Sequence, residues 1–504
     1  MRFLLTFLCL YPVFLTTVEN LSLAQALANT VENQMEVQIA EIKVEAQVGL
    51  AMQAGGPFDP LIQASLTSTS INDLQDPCLG LRTHRKGYIN TLKADITKKT
   101  RCGTQFSLEA RIDQEKDFFI CPFKTNIASL SFNIVQPILR NYGCGLDTTK
   151  EIAEKIEVQA AYFDALQTIS EKIFNTSVQY WETVAAKKAV VINQEALERL
   201  QKLSADIDKL IAEDQMARME KNQPLEKILF RQLAILQTKQ LYFSNIQFLK
   251  LAMGSVNPTS CKVEDLLLTD DYPKLHLDIY KFQDIFCDLM EYAIHNRYNI
   301  LASTLREREA AVLVSGAANS TLPEVDVIAG VKTTDFTRRC QANNFLSPIV
   351  MSNPQTEWTI GLSISVPFYN VQAEGLLEQR RAEQMEVIYN TQFLMQDTIT
   401  NLSAALSDHY ALALEVDKAS ERAKVTQKLI EDERKKLPFG FSNLFILLDY
   451  EDRLTDALQQ HNDIYKSYLQ NIARLRFFTG TLLRRDCCFN NIEVVDVTTL
   501  PGVD

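Results

Sequence analysis

Apolar residues recur at alternating spacings of three and four along the stretch 376–479, which is interrupted only by Pro438-Phe439-Gly440. Before that break the stripe includes Ile399 and Leu406, and after it Leu454 and Leu469. This period predicts two antiparallel helices, 376–437 and 441–479, joined by a tight turn. At 1.5 Å per residue the arms would be about 90 Å and about 60 Å long, so their apolar stripes need other long helices as partners.

A second pair of long helices is predicted earlier in the chain, at 146–223 and 225–253. Neither glycine nor proline occurs between Gly145 and Pro224. The break Lys221-Asn222-Gln223-Pro224 predicts a turn, and asparagine tolerates left-handed backbone better than most residues. The sequence therefore places the left-handed residue of this turn at Asn222.

Strict alternation of apolar and small polar residues marks two strands, Ala128–Ile138 and Trp358–Phe368. Each closes an extended hairpin, about 57–138 and about 323–368. The residues between Ser68 and Gly103 are polar and include Pro77, Gly80 and Gly87, which favours a loop there. We therefore predict four long strands per chain.

The chain repeats one order of elements: a helix, an extended hairpin ending near a proline, a very long helix, a tight break and a returning helix. Pro137 corresponds to Pro367, Asn222 to Gly440, and Asn33 to Asn296. We assign 1–20 to a signal peptide, 21–257 to the first repeat, 258–483 to the second, and 484–504 to a C-terminal tail. The fold class is mainly α with a small β part.

Composition limits the chemistry of this chain. Its 504 residues carry a formal net charge of −12, which disfavours nucleic acid as a partner. We find no catalytic, cofactor-binding or metal-ligand spacing, so we predict no enzyme activity and no cofactor. Cysteine count is odd once the signal peptide is removed, since nine remain, so at least one is unpaired, although export permits disulfides.

The alternating strands have two interpretations. A strand packed on a soluble core alternates in the same way as a strand with lipid on one side and water on the other. Four strands are too few to close a barrel, and an open sheet edge is not tolerated in lipid. Several copies of the chain could close one barrel together and also cover each other's helices.

Several short motifs, in this order and spacing, resemble the TolC-like outer-membrane efflux channel family over nearly all of the mature chain. The motifs are Leu21–Leu27 with Asn33, Phe58-Asp59-Pro60, Gln136–Arg140, Ala293–Arg297, Leu322-Pro323, Val366–Tyr369, and Lys436 with Gly440, Ser442 and Leu447-Leu448. The resemblance implies a homotrimer with a 12-stranded barrel in outer-membrane lipid and an α-helical tunnel across the periplasm. It also implies a periplasmic adaptor, an inner-membrane transporter, and passive conduction in drug efflux or type I secretion.

The resemblance also suggests site residues at the turns that would meet the adaptor. Gly440 matches the glycine of the family's second turn, Lys436 the basic residue four positions before it, and Ser442 follows. Asn222 stands where the first turn usually has glycine, with Arg218 four positions before it. Asp449 matches one of two acidic residues that can form a pore constriction, while Ile446 occupies the place of the other. The alternative role for Asp449 is that of a solvent-exposed charge on the surface of a helix.

A second function from another class is also open. An exported coiled-coil structural or adhesive protein without a pore would explain the long helices. It would not explain two strand hairpins with matching prolines. Conduction by a trimer in a lipid bilayer would distinguish the two functions.

Overall fold

The computed structural model describes residues 20–75, 83–117, 124–256, 267–273, 282–339, 354–439, 441–484, 494–499 and 501. The predicted signal peptide and most of the predicted tail lie outside these residues. The helices are α1 (Leu23–Asn33), α2 (Met35–Gly55), α3 (Thr149–Ala212), α4 (Asn222–Ala252), α5 (Phe282–Asn296), α6 (Tyr298–Ser320), α7 (Val371–Lys436) and α8 (Leu444–Thr479). Among the described residues, no helix has an apolar stretch long enough to cross a membrane.

The two predicted pairs of long helices are present, with shifted ends. α3 has 64 residues and α7 has 66. α3 ends at Ala212, well before the predicted end at 223, because the chain turns earlier than expected. The lead-in helix of each repeat is divided in two, at Gln34 between α1 and α2 and at Arg297 between α5 and α6.

The strands are β1 (Asn20–Leu21), β2 (Leu61–Gln75), β3 (Thr83–Lys99), β4 (Gln105–Asp117), β5 (Lys124–Pro137), β6 (Leu267–Leu268), β7 (Glu324–Arg339) and β8 (Gln355–Ser365). Six of them form one antiparallel sheet in the order β2-β3-β4-β5-β7-β8. The predicted number of four strands was therefore wrong. Most of the predicted polar loop is β3, and its hairpin partner β4 lies within the first predicted hairpin, about 57–138.

The chain divides into two compact units. One consists of residues 1–42, 163–301 and 393–504, and the other of residues 43–162 and 302–392. Among its described residues the first unit is mainly helical and also holds the short parallel pair β1–β6. Its core includes one cluster in which Leu289 and Ala293 of α5 pack with Leu402 and Leu406 of α7 and Leu475 of α8. The second unit holds the whole six-stranded sheet.

The turn between β3 and β4 is fastened to the segment that joins β5 to α3. Cys102 and Cys144 form a disulfide. The neighbouring Arg101 donates two hydrogen bonds to the Glu151 carboxylate, Nε–Oε2 at 2.9 Å and Nη2–Oε1 at 3.1 Å. Hydrogen bonds from Arg101 and then Lys155 lower the pKa of Glu151 to about 2, so this nearly buried carboxylate stays ionised.

Gly103 completes this turn. Its φ of 87° lies in the left-handed region, and an added Cβ would come within 2.5 Å of the Asn141 carbonyl oxygen. Only glycine fits this close backbone approach. Cys287 is an exposed free thiol. Cys78, Cys121, Cys261, Cys340, Cys487 and Cys488 lie outside the described residues.

We predict that replacing both Cys102 and Cys144 with serine lowers the stability of the sheet by roughly 2–5 kcal/mol, because the bridge closes a loop between residues 42 positions apart. Trp358 lies in β8, in the unit that holds the sheet, and Trp181 lies in α3, in the helical unit. A variant that keeps only one of these two tryptophans therefore has fluorescence that reports the unfolding of a single unit. Urea unfolding in detergent, followed by Trp358 fluorescence, should show the loss.

The matched control is Cys287→Ser, which removes an exposed thiol that takes part in no disulfide. Coincident unfolding curves for the double variant and the control would show that the disulfide does not stabilise the sheet.

Candidate functional site at the turns between the long helices

The turn between α7 and α8 is held by backbone and side-chain caps. α7 ends at Lys436, and a short 3-10 helix follows at Leu437–Phe439. The Phe441 amide donates to the Lys436 carbonyl at 3.3 Å, a bond that spans the turn. Asn443 caps α8, since its Oδ1 accepts from the Ile446 amide at 2.8 Å. Gly440 lies outside the described residues.

Lys436 and Ser442, both predicted site residues, meet at Glu433. Lys436 Nζ lies 2.9 Å from Glu433 Oε2, and Ser442 lies close enough to that carboxylate to affect its pKa. Lys436 and then Ser442 lower the pKa of Glu433, and Glu433 in turn raises the pKa of Lys436. Glu433 is not among the predicted site residues, although its spacing of three residues before Lys436 places both on one helix face.

Three large aromatic side chains project from this turn. Phe439 is 75% exposed, Phe441 82% and Phe445 72%. Leu437 and Leu444, close to them in sequence, are buried. Isolated apolar residues on a surface are ordinary, whereas three phenylalanines within seven positions form a patch suited to binding a partner.

The turn between α3 and α4 differs from the sequence prediction. Asp214 has φ 56°, while Asn222 has φ −70° and is the first residue of α4. The Gln215 amide donates to the Leu210 carbonyl at 2.9 Å, and the Asp214 amide donates to the Ile211 carbonyl at 3.1 Å. This pattern ends α3 with a left-handed residue in the place that glycine commonly takes. The assignment of the left-handed turn to Asn222 was wrong.

Aspartate shares with asparagine a tolerance for left-handed backbone, so Asp214 carried a usable signal. A run without glycine or proline predicts continuous helix, which conceals the end of α3 near this residue. Arg218 begins a 3-10 helix at Arg218–Lys221, and both Arg218 and Asn222 are exposed. Between them Met219 is 83% exposed.

The two turns pack on one hydrophobic core. Leu203 and Ile207 of α3 are buried with Leu437 and with Leu444 and Leu447 of α8, and Met216 of the first turn lies against the same cluster. Arg434 Nη2 lies 3.3 Å from Asp206 Oδ2. The described site residues predicted at the turns of the two separate repeats therefore lie at the same end of the helical unit.

Asp449 lies on α8 and is paired within its own helix. Its Oδ2 lies 2.8 Å from Arg453 Nε, and the aspartate side chain is 42% exposed. Neighbouring carboxylates connect α8 to other helices instead. Glu451 accepts from Arg199 of α3 at 2.9 Å, and Asp452 from Arg231 of α4 at 3.0 Å. The Arg199 and Arg231 contacts were not predicted.

Paired long helices in two repeats and an antiparallel sheet define the architecture of the TolC-like outer-membrane channels. The chain is similar to CusC, a channel-forming protein, with TM-score 0.64, 14% identity, and 91% of each chain covered. It is also similar to the CmeC outer membrane channel of Campylobacter jejuni (TM-score 0.64, 15% identity, 91% of this chain and 85% of that one). The outer membrane protein VceC of Vibrio cholerae matches with TM-score 0.65, 14% identity, and coverage of 91% and 96%.

The predicted resemblance to the outer membrane factor channels is thus confirmed in the fold. No protein-family model matches the chain. No curated protein matches it either. The solved structures that share the fold include channels and outer-membrane proteins.

We predict that glycine substitutions at Asp214 and at Asn222, both in the turn between α3 and α4, change the free energy of unfolding in opposite directions. Asp214→Gly should raise the free energy of unfolding by up to about 1 kcal/mol, because it relieves left-handed strain. Asn222→Gly should lower it by roughly 0.5–1 kcal/mol, because Asn222 is helical. Urea midpoints of the two variants measure both changes. The reverse order would show that Asn222 holds the left-handed position.

Proposed function

We propose that this chain is one subunit of a trimeric export channel in the outer membrane, a passive conduit for substrates from an inner-membrane transporter and a periplasmic adaptor. The observation that carries the proposal is the six-stranded sheet, which has one apolar face and two open edges. The shared fold with solved outer-membrane channels supports it. The exported-coiled-coil alternative does not account for such a sheet.

Trimer formation would cover apolar surface that one chain leaves open. α4 presents a row of exposed apolar side chains, among them Leu225, Leu229, Leu233 and Leu236, which are 49–65% exposed. A row at spacings of four, four and three is one face of a helix. Because a soluble monomer rarely leaves such a surface uncovered, we expect helices of sister copies to pack there.

The turn that carries Lys436, Gly440 and Ser442 is the proposed docking site for the adaptor, together with Arg218 and Asn222 of the first turn. The exposed phenylalanines give this surface an apolar centre, and Lys436 and Arg218 give it a polar rim. That composition suits recognition of a partner protein.

Asp449 is retained as a candidate for the pore constriction. Three copies would bring three carboxylates to one level of the pore, which favours cations. Arg453, bound to Asp449 in each copy, would bring three guanidinium groups to the same level. We therefore propose a weak cation preference rather than a strong one.

The test of the function is reconstitution of the purified protein. We expect a detergent-solubilised particle with the mass of three chains that inserts into planar bilayers and conducts ions in discrete steps. A trimer without conductance would favour the coiled-coil alternative. A stable monomer with its apolar stripes covered would contradict both.

We predict that Phe439→Ser combined with Phe441→Ser abolishes export while leaving the trimer and its conductance intact, because the two rings are exposed and support no core. Accumulation of a fluorescent efflux dye, in cells that rely on this channel, measures export.

The control is Phe368→Ser, which removes a ring that is 91% exposed and lies in the other unit. Equal export by the double variant and the control would show that the aromatic patch takes no part in docking.

A further inference from the structure

The two unexpected strands, β3 and β4, are paired along most of their length on both sides. β3 pairs with β2 from Leu61↔Thr97 to Gln75↔Thr83. β4 pairs with β5 from Gln105↔Val135 to Lys116↔Lys124. Because both outer sides of the β3–β4 hairpin are hydrogen-bonded, the hairpin is part of the sheet and not a plug or a surface loop.

One row of residues shows that all six strands share the same apolar face. The direct neighbours across the sheet are Ile62, Ile96, Leu108, Phe132, Val331 and Trp358, one from each strand. The adjacent row on the opposite face consists of Gln63, Asp95, Glu109, Ser131, Lys332 and Glu357. In these rows β3 and β4 place apolar side chains on the same face of the sheet as the other four strands, and polar side chains on the opposite face.

The turn of the β3–β4 hairpin is held against the chain segment that follows β5. Besides the Cys102–Cys144 disulfide and the Arg101–Glu151 pair, Lys99 Nζ lies 2.7 Å from Asp147 Oδ1. A covalent bond and two ion pairs keep this hairpin in place beside β5. It is therefore a fixed part of the sheet.

The two edge strands can meet in a ring of copies. Six antiparallel strands alternate in direction, so β2 and β8 run in opposite senses and can pair antiparallel with the β8 and β2 of neighbouring copies. β8 is exposed along its length apart from half-buried Gly361, and Leu61–Ser70 of β2 are exposed on both faces. An unpaired edge in lipid is not tolerated.

We infer that three copies of the chain close an 18-stranded barrel, with β2 of one copy paired to β8 of the next. This rests on the proposed trimeric channel and exceeds the 12 strands that the family resemblance implied. Barrel diameter grows about linearly with strand number, so the barrel would be about 1.5-fold wider. A barrel of 18 strands has an aqueous lumen as wide as that of a porin.

The inserted hairpin would also give the wider lumen a charged lining. Lys93 Nζ lies 3.2 Å from Glu109 Oε2 and 3.5 Å from Asp95 Oδ1, and Arg111 Nε lies 2.8 Å from Asp113 Oδ2. All five belong to the polar face. On that face β5 instead carries the small residues Ser129, Ser131 and Asn133. The barrel would thus pass bulky hydrophilic solutes.

Cysteine pairs across the proposed seam test the closure. Thr67→Cys combined in turn with Glu357→Cys, Thr359→Cys or Ser363→Cys places both thiols on the polar face, and at least one pair should yield a covalent trimer on a denaturing gel. Thr67→Cys with Ile360→Cys is the matched control, with thiols on opposite faces, and should not cross-link. Failure of every same-face pair would overturn the proposed seam.

Imaging the unmodified particle counts the strands directly. End-on density of the trimer should show 18 strands, and a variant lacking 76–123 should show a barrel about 1.5-fold narrower. A count of 12 in a conducting wild-type trimer would overturn the inference and leave the proposed function standing. A protein that neither trimerises nor conducts would contradict the proposed function itself. If the deletion variant does not fold, the wild-type count decides.

Discussion

The described residues of a single chain leave a large apolar surface uncovered. The sheet exposes Ile62, Leu66, Trp358 and Ile360 by 71–86%, and its edge strands leave backbone groups unpaired. The returning helix α4 has an exposed apolar row of its own. The hydrophobic effect and the need to pair buried backbone groups both favour association of copies, and only a closed ring satisfies them at every seam. The trimeric barrel, the pore and the partner docking that we propose depend on that constraint.

The helical unit combines a tightly packed core with polar ties near its turns. Leucines of α3 and α8 bury the inner side of both turns, while Glu451 and Asp452 bind arginines on α3 and α4. Arg231 is nearly buried, so separating it from Asp452 would leave a poorly solvated charge. Movement of α8 relative to α4 would therefore have to break the Arg231–Asp452 ion pair.

The sequence predictions succeeded where one pattern ran for many residues and failed where one residue decided the backbone. The stripe through Leu447, Leu454 and Leu469 predicted α8, and all three side chains are buried. β3 was missed because its polar face carries Lys93 and Asp95 in the rows where β5 carries Ser129 and Ser131, so its alternation resembled a charged loop. Asp214 was missed because the end of α3 depends on a local cap and not on glycine.

The amino-acid sequence by itself determined the repeated order of elements, the two pairs of long helices and the resemblance to outer-membrane channels. Hydrophobic period is a local property, and the chain preserves it over tens of residues. Only the tertiary structure decided the number of strands, their common apolar face, the Cys102–Cys144 bridge and the meeting of Lys436 and Ser442 at Glu433. Those features depend on register and on contacts between residues distant in sequence, which no single stretch of sequence specifies.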